Sequence, residues 1–315
     1  MKYCIGIDLG GTNIKAGVVS ECGKVIYSQS VKTNMPRTAE EIMDDMADLC
    51  FAVAKACEID FQDVCHIGVG TPGGVNSKDG IVLFSPNLAM KDVAMKEYLE
   101  AKLSKTISIA NDANAAAVGE YLFGCGKDKS SMIMITLGTG IGGGIIQESK
   151  LLEGEQFCGG ELGHMVISFD GRSCACGRKG CFERYASATG LVQTTKEYML
   201  KNPDSKMWQD VENITEIDAK LAYKYKAIGD ETATAVVEEY QAHLACGLAN
   251  IINIFQPTII CLGGGVANEK ETLLTPLKKL VEKESYDKNN YTQITTATLG
   301  YEAGIIGAAF LHKMK

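Results

Sequence analysis

Short apolar runs, each closed by glycine, recur along this chain. Tyr3 to Asp8 reads as a buried strand, LGGT turns it, and Ile14 to Val19 alternates as a second strand. Lys24 to Val31 follows the turn Glu21-Cys22-Gly23, which completes a β-meander. A similar text returns in the second half, where Met132 to Leu137 reads as strand, GTGIGGG turns it and Ile145 to Leu152 supplies further strand. Setting IDLGGT over ITLGTG predicts a duplicated α/β domain, two related copies facing each other across a cleft that holds the ligand. Helical periodicity appears at Ala39 to Cys57, with Met43, Met46, Ala47, Cys50 and Ala54 on one face, and again at Asn114 to Phe123, Tyr185 to Leu200, Asp230 to Ile254 and Ala303 to His312. Further strands are predicted at Val64 to Val69, Ile107 to Ala110 and Thr258 to Leu262. Lys201 to Ile214 reads as a polar surface insertion, followed by a helix from Glu216 to Lys226.

Composition agrees with a cytoplasmic enzyme large enough for two cores: 46% of the residues are hydrophobic and 22% charged. The apolar start MKYCIGIDLGG meets Asp8 and two glycines too soon for a secretory h-region. IINIFQPTIICLGGGV is broken by Asn253, Gln256 and Pro257, so no membrane span or membrane partner is expected. A net charge of −8 opposes a nucleic-acid backbone, so no nucleic-acid partner is expected either. Of the 12 cysteines, several lie in apolar runs (Cys4, Cys65, Cys261) and read as reduced, partly buried thiols.

Three glycine turns follow apolar strands: Gly10-Gly11-Thr12, Gly138-Thr139-Gly140 and Gly263-Gly264-Gly265. Glycine backbone can approach a phosphate closely and offer it unencumbered N–H groups. One such turn is ordinary in an α/β fold, whereas three favour a nucleotide. The chain lacks both GxxxxGK[ST] and a GxGxxG that opens a helix, which argues against P-loop and dinucleotide folds. Between Glu161 and Glu183 lies the densest chemistry. His164, one of only four histidines, precedes Cys174, Cys176 and Cys181, giving one imidazole and three thiolates for a tetrahedral metal, with zinc the natural occupant. The alternative is a glycine-rich loop with incidental thiols. Asp112 follows a strand and opens a helix beside Asn111, so it reads either as an N-cap or as a catalytic carboxylate. Glu161 and Glu183 read as surface charges or as ligands, and their flanking of the metal run favours the second.

These residues resemble one family over almost the whole chain, the ROK sugar kinases of the sugar kinase, Hsp70 and actin superfamily. DLGGT at 8–12, NDANAAAVGEYLFG at 111–124, TLGTGIGGG at 136–144, GELGH at 160–164, CACGRKGCFERYAS at 174–187, LGGGV at 262–266 and EAGIIGAA at 302–309 occur in the family's order. The text looks most like its bacterial glucose-phosphorylating members. The resemblance implies an α/β fold of duplicated ribonuclease H-like (actin/hexokinase/Hsp70-type) domains around a cleft. The smaller domain would cover 1–118, with the closing helix 303–315 packing back on it, and the larger would cover 119–302 with the zinc run.

The resemblance also implies ATP-dependent phosphorylation of a hexose, glucose above others, at its 6-hydroxyl, with Asp112 as general base. A helix N-terminus favours the ionised carboxylate, so the expected base is unprotonated at neutral pH and weak. Sugar contacts carry over to Gly73, Asn87, Asn111, Asp112, Glu161, His164 and Glu183. Nucleotide contacts carry over to Asp8, Gly10, Gly11, Thr12, Gly138, Thr139, Gly140 and Gly264, with Asp8 holding Mg2+ through water. Zinc on His164, Cys174, Cys176 and Cys181 would be structural, because four protein ligands leave no open position for a water. A homodimer or higher homo-oligomer is implied by the resemblance alone. TPGGVN at 71–76 departs from the family's frequent PGPVD, and Asn13 stands where many members carry Lys. N-acetylmannosamine, N-acetylglucosamine and fructose therefore stay open as substrates, as does polyphosphate as donor. A ROK-type sugar-responsive repressor is the competing class, and it is disfavoured because no helix-turn-helix precedes DLGGT in this sequence.

Overall fold

A computed structural model describes residues 2–288 and 291–314; Met1 and Lys315, the ends of the two expected segments of the first domain, lie outside the described residues. The chain opens with the meander β1 (Tyr3–Leu9), β2 (Asn13–Ser20) and β3 (Val25–Lys32), antiparallel throughout, with Asp8 opposite Lys15. Helix α1 (Ala39–Ala56) starts at a capping box, in which Thr38 accepts the Glu41 N–H and the Glu41 carboxylate accepts the Thr38 N–H. It buries the predicted face, Met43, Met46, Ala47, Cys50 and Ala54, against the first core. Strand β4 (Val64–Thr71) then runs parallel to β1.

An element group absent from the sequence reading follows: a small antiparallel sheet of β5 (Gly74–Asn76), β6 (Ile81–Ser85) and β7 (Met90–Val93), then α2 (Met95–Leu103). Strand β8 (Ile107–Asn111) pairs in parallel with β4 and leads directly into α3 (Asp112–Phe123). Residue 118, where the sequence reading ends its first domain, lies inside this uninterrupted helix.

The second half repeats the plan. Strands β9 (Met132–Leu137), β10 (Ile141–Gln147) and β11 (Lys150–Leu151) are followed by α4 (Glu183–Ala186), α5 (Ala188–Lys201), α6 (Leu221–Ala227) and α7 (Glu231–Phe255). Then come β12 (Ile259–Gly263), α8 (Glu271–Glu284), β13 (Gln293–Thr296) and α9 (Ala303–Ala309). The two five-stranded sheets have orders β3-β2-β1-β4-β8 and β11-β10-β9-β12-β13, position for position the same, and each ends in a parallel pair. The duplication expected from IDLGGT and ITLGTG is therefore real at the level of topology.

Local chemistry explains where the elements depart from expectation. The helix predicted from Tyr185 to Leu200 is two helices, because Ser187 leaves helical geometry and caps α5 by accepting the Gly190 N–H at 3.0 Å. Helix α6 begins at Leu221 rather than Glu216, since the Asp218 carboxylate accepts the N–H groups of Lys220 and Leu221. Pro276 hides α8 from a periodicity reading. Proline cannot donate to the Thr272 carbonyl four residues back, and the buried Gln241 amide on α7 donates to that carbonyl instead, at 3.1 Å.

The chain divides into two compact units, the first made of the chain up to Met134, Gly144–Gly160 and the segment from Ala297, the second of Ile135–Gly143 and Glu161–Thr296. In the first, α9 is pressed between the sheet and α3, backbone against backbone. A Cβ on Gly6 would lie 1.8 Å from the Ile305 carbonyl oxygen, one on Gly68 1.8 Å from that of Ala308, and one on Gly307 1.6 Å from that of Ala115. Ile305, Ile306, Ala309 and Phe310 then cluster with Cys4 and Val19. Beside them the fully buried Glu120 is saturated: its carboxylate accepts the N–H groups of Cys125, Thr298 and Leu299 and the Thr298 hydroxyl, at 2.7 to 3.1 Å. Gly307→Ala forces one backbone off another and is expected to cost on the order of 3 kcal/mol, read as a lower urea midpoint at unchanged slope. A midpoint equal to that of the parent would contradict this packing.

Candidate active site

The first unit presents its polar residues at the carboxyl ends of β1 and β8, where open α/β sheets bind ligands. At the end of β1 the turn Gly10-Gly11-Thr12 is fixed from below: Gly10 N–H donates to Asn13 O at 2.9 Å, and Thr33 donates its N–H to Thr12 O and its hydroxyl to Gly10 O. Thr33 is fully buried, and its role was invisible in the sequence because it acts through a partner 23 positions away. Gly11 and Thr12 are exposed, and Asn87 stands beside Gly11, 3.8 Å from where a Cβ would be.

At the end of β8, Asn111 is the N-cap of α3. Its Oδ1 accepts the N–H groups of Ala113 and Asn114, and its Nδ2 donates to the Gly73 carbonyl at 3.1 Å. That places three sequence-predicted residues, Gly73, Asn111 and Asp112, at one junction. Gly73 cannot be otherwise, since at φ 102° a Cβ would lie 2.0 Å from Phe84 O. Asn111, expected as a sugar ligand, has spent its acceptor oxygen and one amide hydrogen on this junction.

Asp112 corrects an expectation. Ala113 N–H donates to its carboxylate at 2.8 Å and the Asn111 side chain supports the charged form, as expected at a helix N-terminus. Even so, desolvation by the surrounding protein outweighs these donors and raises its carboxyl above the ordinary 3.8. The side chain is reached by solvent while standing among dense protein, so access and partial desolvation coexist. The carboxylate is more basic than the helix terminus alone implies. Asp8 is raised as well, first by burial and then by the charge of Asp112, while Lys15 opposite it acts in the other direction.

In the second unit the expected metal residues come together. One ligand atom from each of His164, Cys174, Cys176 and Cys181 lies within 4.8 Å of the others, with His164 Nδ1 to Cys174 Sγ and Cys176 Sγ to Cys181 Sγ both 3.6 Å. A tetrahedral ion with Zn–S bonds near 2.3 Å sets its sulfurs about 3.8 Å apart, so the donor set and spacing fit. Nδ1 faces the thiols, which leaves Nε2 as the other ring nitrogen. Tight turns shape the loop: Cys174 N–H donates to Arg178 O, and Gly177 N–H to Cys174 O. Burial raises the Cys174 and Cys181 thiols, Cys174 to about 12, whereas the Arg178 N–H lowers exposed Cys176.

Glu183, first residue of α4, accepts the Cys174 thiol on Oε1 at 3.0 Å and stands 3.7 Å from His164 Nδ1. Its Oε2 lies 2.6 Å from where a Cβ on Gly140 would sit, so Glu183 links the thiol cluster to the turn Gly138-Thr139-Gly140. That turn is held by Ala188 N–H on Gly138 O. Gly264 backs onto the Leu137 carbonyl, 2.5 Å from its own would-be Cβ, which sets two of the three glycine turns side by side. Glu161 is exposed and accepts His164 N–H through its backbone carbonyl.

Arg172 was missed by the sequence reading. Its guanidinium donates to Arg184 O, Gly190 O, Thr194 Oγ1 and Glu197 Oε2, its N–H donates to the Tyr185 hydroxyl at 2.7 Å, and it stacks on the Tyr185 ring. It thereby clips the loop between His164 and Cys174 to α4 and α5. Nothing in the local pattern of a glycine-rich loop marks such an anchor.

Two sheets of identical order with polar residues at strand ends define the actin/hexokinase-like class of duplicated α/β folds. The chain belongs to the ROK family, whose model matches residues 4–315. It is similar to a glucokinase of Halalkalibacterium halodurans, 32% identical over 100% of this chain and 96% of that protein. A ROK family glucokinase from Streptomyces griseus, solved in complex with glucose and AMPPNP, superposes with a TM-score of 0.81 at 35% identity, covering 98% of each chain. A xylose repressor of Bacillus subtilis is 28% identical over 97% of this chain and 75% of its own length.

The raised carboxyl of Asp112 has a signed consequence for stability. A carboxylate whose folded pKa exceeds its unfolded value holds its proton more tightly when folded, so its ionisation destabilises the fold as pH rises through that window. Asp112→Asn keeps the acceptor for Ala113 and removes the charge. Its thermal midpoint at pH 7 is expected at or above that of the parent, with the difference closing below the ordinary Asp range; a clear loss at pH 7 that persists in acid would contradict this.

Proposed function

We propose that this chain is an ATP-dependent hexose kinase that phosphorylates glucose at its 6-hydroxyl, with Asp112 as general base. The observation that carries the reading is the β8–α3 junction. It holds an acceptor carboxylate at a strand end, raised in pKa yet open to solvent, beside a second carboxylate, Asp8. The likeness to a glucokinase solved with glucose and AMPPNP supports the same assignment.

In this reading the 6-hydroxyl gives its proton to the Asp112 carboxylate as its oxygen displaces ADP from the γ-phosphoryl. Phosphoryl transfer passes through a loose transition state, so positioning and charge neutralisation supply most of the acceleration. Asn111 contributes twice, by fixing the first turn of α3 through its cap bonds to Ala113 and Asn114 and by turning its amide toward a sugar hydroxyl. Asn87, Glu161, His164 and Glu183 bind the other hydroxyls, and Gly73 keeps the junction narrow. The turns at Gly10, Gly11 and Thr12 and at Gly138, Thr139 and Gly140 receive phosphates, with adenine near Gly264. Asp8 would hold the Mg2+ that accompanies ATP, and the ion would supply charge neutralisation there. His164, Cys174, Cys176 and Cys181 would hold a structural zinc, which would orient His164 and, through the loop, Glu183.

The protein functions in this reading as a cytoplasmic homo-oligomer that feeds glycolysis; among the described residues no helix is long and apolar enough to cross a membrane. The test is ADP release with magnesium and ATP against glucose, mannose, fructose, N-acetylglucosamine and N-acetylmannosamine. Turnover selective for glucose is expected, and silence on all five would leave a sugar-binding regulator. Asp112→Asn should lower kcat by about 10³-fold while calorimetry still detects glucose. One zinc per chain is expected by elemental analysis, lost in Cys176→Ala together with glucose affinity; full activity in metal-free protein would remove zinc from the account.

A further inference from the structure

A thiol pair lies outside the candidate active site, at the opposite ends of β1 and β4. The two strands run in parallel register from Cys4↔His66 to Asp8↔Gly70, but Tyr3 pairs with Val64, so Cys65 is one residue more than β1 can match. A bulge leaves its extra residue outside the ladder and re-aims its side chain. Here it brings the Cys65 Sγ to 3.3 Å from the Cys4 Sγ, while the same thiol donates to Tyr3 O at 3.1 Å. Cys4 is buried against Val19, Ile305, Ile306 and Phe310, whereas Cys65, expected from the sequence among partly buried thiols, is exposed. Of the other close thiols among the described residues, Cys174, Cys176 and Cys181 group with His164, and Cys125 and Cys261 lie within 4.8 Å of one another beside Glu120.

We propose that Cys4 and Cys65 form a reversible oxidation site, closing to a disulfide by exchange with a low-molecular-weight disulfide. Exposed Cys65 meets the reagent first. Its thiolate attacks one sulfur, the reagent's S–S bond breaks, and one small thiolate leaves and takes up a proton. Cys4 then loses its proton to solvent and attacks the Cys65 sulfur, expelling the second small thiol. In sum two protein thiols are oxidised and one small disulfide is reduced to two thiols. Burial, reinforced by the Cys65 sulfur, pushes the Cys4 thiol up to about 12, which is why Cys65 and not Cys4 starts the exchange. Closure needs roughly 1.3 Å of approach, within reach of a bulged residue that is free of the ladder. The two cysteines are 61 positions apart, so the bond closes a long loop of the unfolded chain.

The full chain, purified with zinc in the buffer, is incubated with oxidised glutathione, alkylated and mapped by peptide mass. A Cys4–Cys65 cross-linked peptide is expected, with an intact mass lower by two hydrogens and a thermal midpoint raised by a few degrees, all reversed by dithiothreitol. Cys65→Ser should abolish all three, whereas Cys22→Ser should leave them in place. Glutathione remaining on Cys65 without closure, a cross-link to another cysteine, or the same mass loss in Cys65→Ser would each overturn the proposal.

Discussion

The tightest packing in the first unit is between backbones, and it sets the spacing of the chemistry. α9 fits only because Gly6 and Gly68 on the sheet and Gly307 on the helix carry no side chain. The same helix touches β1, whose last residue but one is Asp8, and α3, which begins at Asp112, and a Cβ on Gly304 would stand 3.3 Å from the Asp8 carboxyl carbon. Pairing of β1 and β8 on either side of β4 sets Asp8 and Asp112 at neighbouring strand ends, and α9 packs beneath them, where the charge of Asp112 raises Asp8. A core of ordinary apolar side chains would have kept these elements several ångströms further apart.

That arrangement opposes stability where it serves function. Two partly desolvated carboxylates near one another are each harder to ionise. The fold offsets this with local donors: the Asn111 cap, the Ala113 N–H and Lys15 across the ladder from Asp8. Glu183 in the second unit shows a related economy, one carboxylate accepting a hydrogen bond from the Cys174 thiol on one oxygen and facing a glycine turn with the other.

The largely buried strands were legible, because β1, β4, β8, β9 and β12 are predominantly apolar runs with few polar interruptions. The clustering of His164 with Cys174, Cys176 and Cys181 was legible too, because these residue types are rare and closely spaced. The hairpin sheet β5–β7 was not: its strands are three to five residues long and of mixed polarity, too short to show a period. Pro276 masked α8, and the compensating Gln241 bond lies in tertiary structure that no window of sequence contains. The direction of the Asp112 shift was misjudged for the same reason: the helix terminus can be read locally, whereas desolvation depends on what the rest of the chain brings around it. Thr33 and Arg172 share that fate, each holding a loop through partners far away in sequence.

The Glu120 carboxylate carries a consequence for the order in which the protein is made. Its donors Thr298 and Leu299 lie 178 and 179 positions downstream, and α9 follows directly after them. As the chain leaves the ribosome, residues 1–123 emerge with the seat of their last helix vacant and an unpaired acid at its edge. Until the C-terminus arrives, Cys4 and Val19, which the last helix covers, stay open to water, and such uncovered apolar surface is what incomplete chains must keep from their neighbours. The first-made part of the molecule is thus the last to be completed.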